Sequence, residues 1–98
     1  MADAIRLRVL TESGLALEDD AVSMVAPGGV GYIGFLRNHA PLVTTLQPGK
    51  LAWQTPSGQR KAVRIGEGLL EIAKNRVTIL TSTVVTSERS PATQEASR

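Results

Sequence analysis

A chain of 98 residues can hold one hydrophobic core but not two. Its composition, 42% apolar and 20% charged, is that of a globular chain, and its 11 basic and 9 acidic residues are too well interspersed for a polyanion binder with one cationic face. The absence of cysteine excludes disulfides, thiolate catalysis and Cys-ligated zinc, and no apolar run approaches the roughly 20 residues of a membrane-spanning helix. No basic segment followed by an apolar one stands at the N-terminus, so a soluble or membrane-peripheral protein is expected.

The apolar residues repeat with a period of two. Ile5–Leu10 alternates apolar and basic residues, the pattern of a strand with one buried and one wet face, and Thr11–Gly14 reads as a turn. Leu15–Leu17 is a short strand that Glu18-Asp19-Asp20 is expected to break, and Ala21–Ala26 is strand-like up to Pro27-Gly28-Gly29. Tyr32–Leu36, the connection Arg37–Pro41 and Leu42–Leu46 follow. Gln47-Pro48-Gly49 turns the chain into Lys50–Thr55, and Pro56-Ser57-Gly58 makes a hairpin into Arg60–Ile65. Gly66-Glu67-Gly68 leads to Leu69–Ala73, Lys74-Asn75 is a two-residue turn into Arg76–Thr81, and a last strand falls at Val84–Thr86. Strands every eight to twelve residues with Gly/Pro punctuation and no helical period predict an all-β, antiparallel β-sandwich of about ten short strands. Residues 1–87 form this domain; the polar remainder, 88–98, lacks any large apolar side chain to bury and is expected to be a flexible tail without a helical domain.

Catalytic and cofactor patterns are sparse. One histidine, no cysteine and no paired His/carboxylate spacing predict no metal site and no cofactor, and no serine stands in a nucleophile-elbow context. Gly29, Gly31 and Gly34 match G-x-G-x-x-G, but a phosphate cradle needs a helix starting at the third glycine, and Tyr32–Leu36 reads as a strand. Phe35 and Trp53 are expected in the core, whereas Tyr32 opens its strand beside a glycine turn, where it can be a surface contact. Arg60, Lys61 and Arg64 read as a solvated face. The lone His39 has three readings from the residues alone: a structural loop histidine first, a subunit contact second, a general base last.

Taken in order, several segments resemble the N-terminal β-sandwich domain of the epsilon subunit of F-type ATP synthases. They are Ala26-Pro27-Gly28, Gly34-Phe35-Leu36 leading to His39-Ala40-Pro41-Leu42, and Leu46-Gln47-Pro48-Gly49-Lys50-Leu51. Gly66–Ile72 and Asn75–Thr81 continue the match, which covers about residues 5–88. The resemblance implies a ten-stranded, non-catalytic sandwich at the foot of the rotor's central stalk. It would bind the gamma subunit on one side and the polar loops of the c-ring on the other, coupling ion flow to ATP synthesis. In the family the glycine-turn loop reaches the c-ring and the His-Ala-Pro element contacts gamma. By position, Tyr32, Arg37 and Asn38 become candidates near the c-ring, and His39, Ala40 and Pro41 candidates near gamma.

Tyr32 stands where many family members carry an acidic residue, and Arg37-Asn38 where they carry Pro-Gly, so aromatic and basic groups would replace a carboxylate contact to the ring. The sequence begins with Met1 and ends without the usual C-terminal helical hairpin, which implies a short form that couples and assembles without an inhibitory hook or nucleotide binding. The expected location is peripheral, on the cytoplasmic face of a bacterial inner membrane or on an organellar membrane, with no homo-oligomer and no nucleic acid. The competing readings are a free-standing β-sandwich or small-barrel module for a ligand or nucleic acid and, more remotely, a small hydrolase using His39.

Overall fold

The computed structural model describes residues 4–86. Ten strands follow in chain order: β1 Ile5–Thr11, β2 Gly14–Ala21, β3 Ser23–Gly28, β4 Gly31–Leu36, β5 Leu42–Leu46, β6 Gly49–Gln54, β7 Arg60–Ile65, β8 Gly68–Ala73, β9 Arg76–Thr81 and β10 Val84–Thr86. Among the described residues there is no helix. The all-β sandwich read from the sequence is therefore the fold.

The strands form two layers, β4-β3-β6-β7-β10 and β5-β8-β9-β1-β2, joined where Gly28 of β3 meets Leu46 of β5. The second junction lies at the other end of the sandwich, where Val22 N–H, between β2 and β3, donates to the Gln54 carbonyl. Pro27 sits in β3 without breaking it. Residues 23–25 pair with β6 and Gly28 with β5, so Pro27 falls at the handover, where no N–H is required. One pair departs from the antiparallel expectation: β1 lies parallel to β9, with Leu7 opposite Val77 and Val9 opposite Ile79. The N-terminal strand is thereby inserted between β9 and the edge strand β2.

Alternation places Ile5, Leu7 and Val9 in the core and Arg6 and Arg8 outside. Leu51 and Trp53 of β6, Leu70 and Ile72 of β8, and Val77 and Ile79 of β9 meet them between the layers. Phe35 and Trp53 are core residues, as read from the sequence.

The acidic run Glu18-Asp19-Asp20 does not break β2, which continues to Ala21. Cross-strand partners explain the difference. Arg6 lies opposite Asp20 and Arg8 opposite Glu18, and ion pairs of 2.9 Å (Arg6–Asp20), 3.2 Å (Arg6–Glu18) and 3.7 Å (Arg8–Glu18) stabilise an acidic strand that would be poor alone. Asp19 points the other way. Its Oδ2 accepts the Trp53 indole N–H at 2.9 Å and Lys61 Nζ at 3.0 Å, which ties β2 of one layer to β6 and β7 of the other.

Candidate functional site

Arg37, Asn38, His39, Ala40 and Pro41 form the connection from β4 to β5, which carries the chain from one layer to the other. Two asparagines hold it in place. Asn38 takes a positive φ of 66°, a conformation that Asn tolerates better than most residues, and its N–H donates to Asn75 Oδ1 at 2.6 Å. Asn75 returns a bond from Nδ2 to Asn38 Oδ1 at 3.1 Å. Asn75 belongs to the β8–β9 turn, where Lys74 and Asn75 both have positive φ, 54° and 60°, as a tight two-residue hairpin requires. Its carbonyl also accepts the Arg6 N–H at 2.8 Å. One side chain thus fastens the His39 loop to the β8–β9 turn, whose backbone holds the start of β1.

His39 is half-buried. Its ring meets Phe35 edge-on, with centroids 5.0 Å apart and planes at 81°. Nδ1 lies 2.7 Å from the Ala40 carbonyl, and since a carbonyl only accepts, this contact selects the Nδ1–H tautomer. Among the described residues no hydroxyl or carboxylate bonds the ring, and no three His, Asp or Glu side chains converge as metal ligands would. A shallow groove of about 450 Å³ lies nearby on β8 and β9, lined by Glu71, Ala73, Lys74, Arg76 and Thr78.

Tyr32 lies at the other end of β4. Arg37 is five steps along the chain, roughly 17 Å in an extended strand at ~3.3 Å per residue. Its ring is 57% exposed, and its hydroxyl oxygen accepts the Lys50 N–H at 3.1 Å. Gly49 makes that contact possible, because a Cβ there would stand 2.8 Å from both Pro27 Cβ and the Tyr32 hydroxyl. The three motif glycines Gly29, Gly31 and Gly34 belong to the β3–β4 hairpin, with Gly31 at φ 134° after the turn, and they make no phosphate cradle. The structure therefore gathers Arg37–Pro41 at one end of the sandwich and leaves Tyr32 at the other.

The sequence matches the family described as ATP synthase, delta/epsilon chain, β-sandwich domain over residues 4–87. The chain belongs to this family. An ATP synthase epsilon chain of Desulfitobacterium hafniense (strain DSM 10664 / DCB-2) is 38% identical over 89 residues, covering 91% of this chain and 67% of the relative. The epsilon chain of Moorella thermoacetica is 35% identical over 85 residues, covering 87% of this chain and 63% of its own length. The chain thus spans about two thirds of the length of these relatives.

Among solved structures, a chain of the Euglena gracilis mitochondrial ATP synthase (OSCP/F1/c-ring, rotational state 1) superposes with a TM-score of 0.82 at 22% identity, covering 92% of this chain and 58% of the other. A chain of the Tetrahymena thermophila mitochondrial ATP synthase central stalk and c-ring gives 0.69 at 15% identity, covering 93% and 72%. At such identities the superpositions speak for the fold alone.

Within this delta/epsilon sandwich, Asn75 and Asp19 are the residues that sequence reasoning missed. Lys74-Asn75 was legible as a turn, but its bond to Asn38, 37 positions away, left no mark in the spacing. Asp19 read only as a strand breaker, and its partners lie 34 and 42 positions downstream. The basic trio is split. Arg60 and Arg64 belong to the exposed face of β7, whereas Lys61 reaches across to Asp19.

Proposed function

We propose that the chain is the epsilon subunit of an F-type ATP synthase rotor, seated at the foot of the central stalk, where it binds gamma and the c-ring and couples ion flow to ATP synthesis. The carrying observation is the family match over residues 4–87 together with epsilon-chain relatives such as the one 38% identical over 89 residues. In this role it is a non-catalytic subunit without a cofactor, peripheral to the membrane through the complex, on the cytoplasmic face of a bacterial inner membrane or its organellar counterpart.

The mechanics support the reading. A torque-bearing collar must not shear between its layers, and here Gly28–Leu46, Val22–Gln54, Asp19–Trp53 and Asn38–Asn75 tie strands or loops together at separate places. A subunit held between two partners also needs two separate contact regions, which the ends of β4 provide. The Arg37–Pro41 loop is one unit, so Arg37 and Asn38 go with His39, Ala40 and Pro41 towards gamma, and the tip of the β3–β4 hairpin, next to Tyr32, faces the ring.

The test is recovery from native membranes with the tagged full chain. Gamma and c-ring subunits should co-purify, and His39→Ala should weaken gamma binding by about tenfold, the scale of a lost interface side chain worth 1–2 kcal/mol. Recovery of neither gamma nor the ring would sink the proposal. So would an intrinsic hydrolytic turnover that His39→Ala abolishes.

A further inference from the structure

The unpaired edge of β4 distinguishes this sandwich from a self-sufficient one. The register runs without a shift from Ser23 opposite Leu36 to Gly28 opposite Gly31. Gly29 N–H donates to the Thr45 carbonyl and Gln47 N–H to the Pro27 carbonyl, so Val25 and Pro27 direct their main-chain groups away from β4. Met24, Ala26 and Gly28 therefore face β4, and Phe35, Ile33 and Gly31 face back. The N–H and C=O groups of Tyr32, Gly34 and Leu36 are left pointing outward, and among the described residues β4 pairs with no strand except β3.

Edges of this kind invite pairing, and a free protein blunts them with charge, proline, bulges or shortness. Two other edges here are blunted, and a third is partly covered. β2 carries Glu18, Asp19 and Asp20, with a register shift against β1 between Val9 and Leu10. β10 is three residues long, and the outward Thr45 carbonyl of β5 is taken by Gly29. β4, Gly-Tyr-Ile-Gly-Phe-Leu, has no charge and no proline, and its outward-face side chains Tyr32 and Leu36 are 57% and 67% exposed.

We infer that β4 is an acceptor for strand addition: an extended segment of a partner subunit pairs with the main chain of Tyr32, Gly34 and Leu36 and sets apolar residues at alternate positions against Tyr32 and Leu36. The hydrogen-bonding edge specifies a strand, because a helix leaves no main-chain groups to offer. A second copy of this chain is disfavoured by size. One six-residue edge buries on the order of a few hundred Å², against the roughly 1,200 Å² or more of a stable free complex. Such an edge suits a partner already held nearby by other contacts, where the effective concentration is high. The inference rests on the rotor reading, and gamma, placed at the Arg37–Pro41 end of the same strand, is the partner to test.

Gly34 provides the variant. It lies in extended strand, its N–H points outward, and a Cβ there would meet only the Met24 carbonyl oxygen at 3.8 Å, an ordinary contact. Gly34→Pro therefore removes an edge donor without removing a bond to β3, and Gly34→Lys places a charge beside the edge. Hydrogen exchange of the full chain, alone and with purified gamma, should show the Tyr32, Gly34 and Leu36 amides slowed at least tenfold by gamma. Both variants should keep the melting temperature within a few degrees and bind gamma at least tenfold more weakly. Tight gamma binding with unprotected β4 amides and unaffected variants would overturn strand addition and leave the rotor reading standing. Failure of the wild-type chain to bind gamma would overturn both. Protection of the same amides that grows with protein concentration in the absence of gamma would make a second copy the occupant and overturn the assignment to a partner subunit.

Discussion

Replacing Asp19 by alanine should cost about 2 kcal/mol, and nearly all of it should come from Trp53. Asp19 accepts three hydrogen bonds: the Trp53 indole N–H at 2.9 Å, Lys61 Nζ at 3.0 Å and the Asp20 N–H at 2.9 Å. Trp53 is 5% exposed, so its N–H loses a charge-assisted partner worth about 1.5–3 kcal/mol without full access to water in exchange. The Lys61 pair, with side chains 44% and 24% exposed, adds only some tenths of a kcal/mol. Lys61→Met should therefore cost under about 0.5 kcal/mol, and in a Trp53→Phe background the loss from Asp19→Ala should fall by more than half.

Urea unfolding followed through the single tryptophan measures each variant, except in the Trp53→Phe background, where far-UV circular dichroism replaces it. For a domain of this size, 2 kcal/mol corresponds to about 8–16 °C in melting temperature. Burial alone would raise the Asp19 carboxyl, but the Trp53 and Lys61 hydrogen bonds, the Asp20 N–H and the Lys61 charge outweigh it and hold the carboxyl below the ordinary 3.8. A depressed folded-state pKa contributes stability that is full above the unfolded value and lost as the pH falls through the folded one. The gap between wild type and Asp19→Ala should thus be constant above about pH 5 and shrink below 3.8. Equal losses for Lys61→Met and Asp19→Ala, or a gap that widens in acid, would refute the reasoning.

Two further substitutions probe close approach and the docking loop. At Gly68 a Cβ would overlap the Leu80 carbonyl oxygen, so Gly68→Ala must move β8 against β9, costing about 1–3 kcal/mol by chemical denaturation; a loss well under 1 kcal/mol would show that the ladder yields easily. Asn75→Gly keeps the positive φ and removes both bonds to Asn38, so its stability loss should stay near 1 kcal/mol while gamma binding weakens about as much as in His39→Ala. Unchanged gamma binding in Asn75→Gly would show that the loop keeps its shape without the clamp.

The strands were legible because their causes are local. Alternation in Ile5–Leu10, turn residues at Gln47–Gly49 and Lys74-Asn75, and the apolar run Leu69–Ala73 each mark an element within a few positions. The failure at Glu18–Asp20 has the complementary cause: an acidic segment becomes a strand only when Arg6, Arg8, Trp53 and Lys61 arrive from elsewhere in the chain. The site divides likewise. Arg37–Pro41 was visible as a connection, but its fastening to Asn75 and its separation from Tyr32 were not.

By itself the sequence determined an all-β chain of about ten strands, its core aromatics and, through an ordered string of short segments, its family. Only the tertiary structure decided that β1 runs parallel to β9, that Asp19 is a latch rather than a breaker, and that among the described residues β4 pairs with β3 alone. Periodicity encodes which face of a strand is buried, but not which strand lies beside it. Neighbours are chosen by contacts between residues tens of positions apart, which exist only once the two layers close.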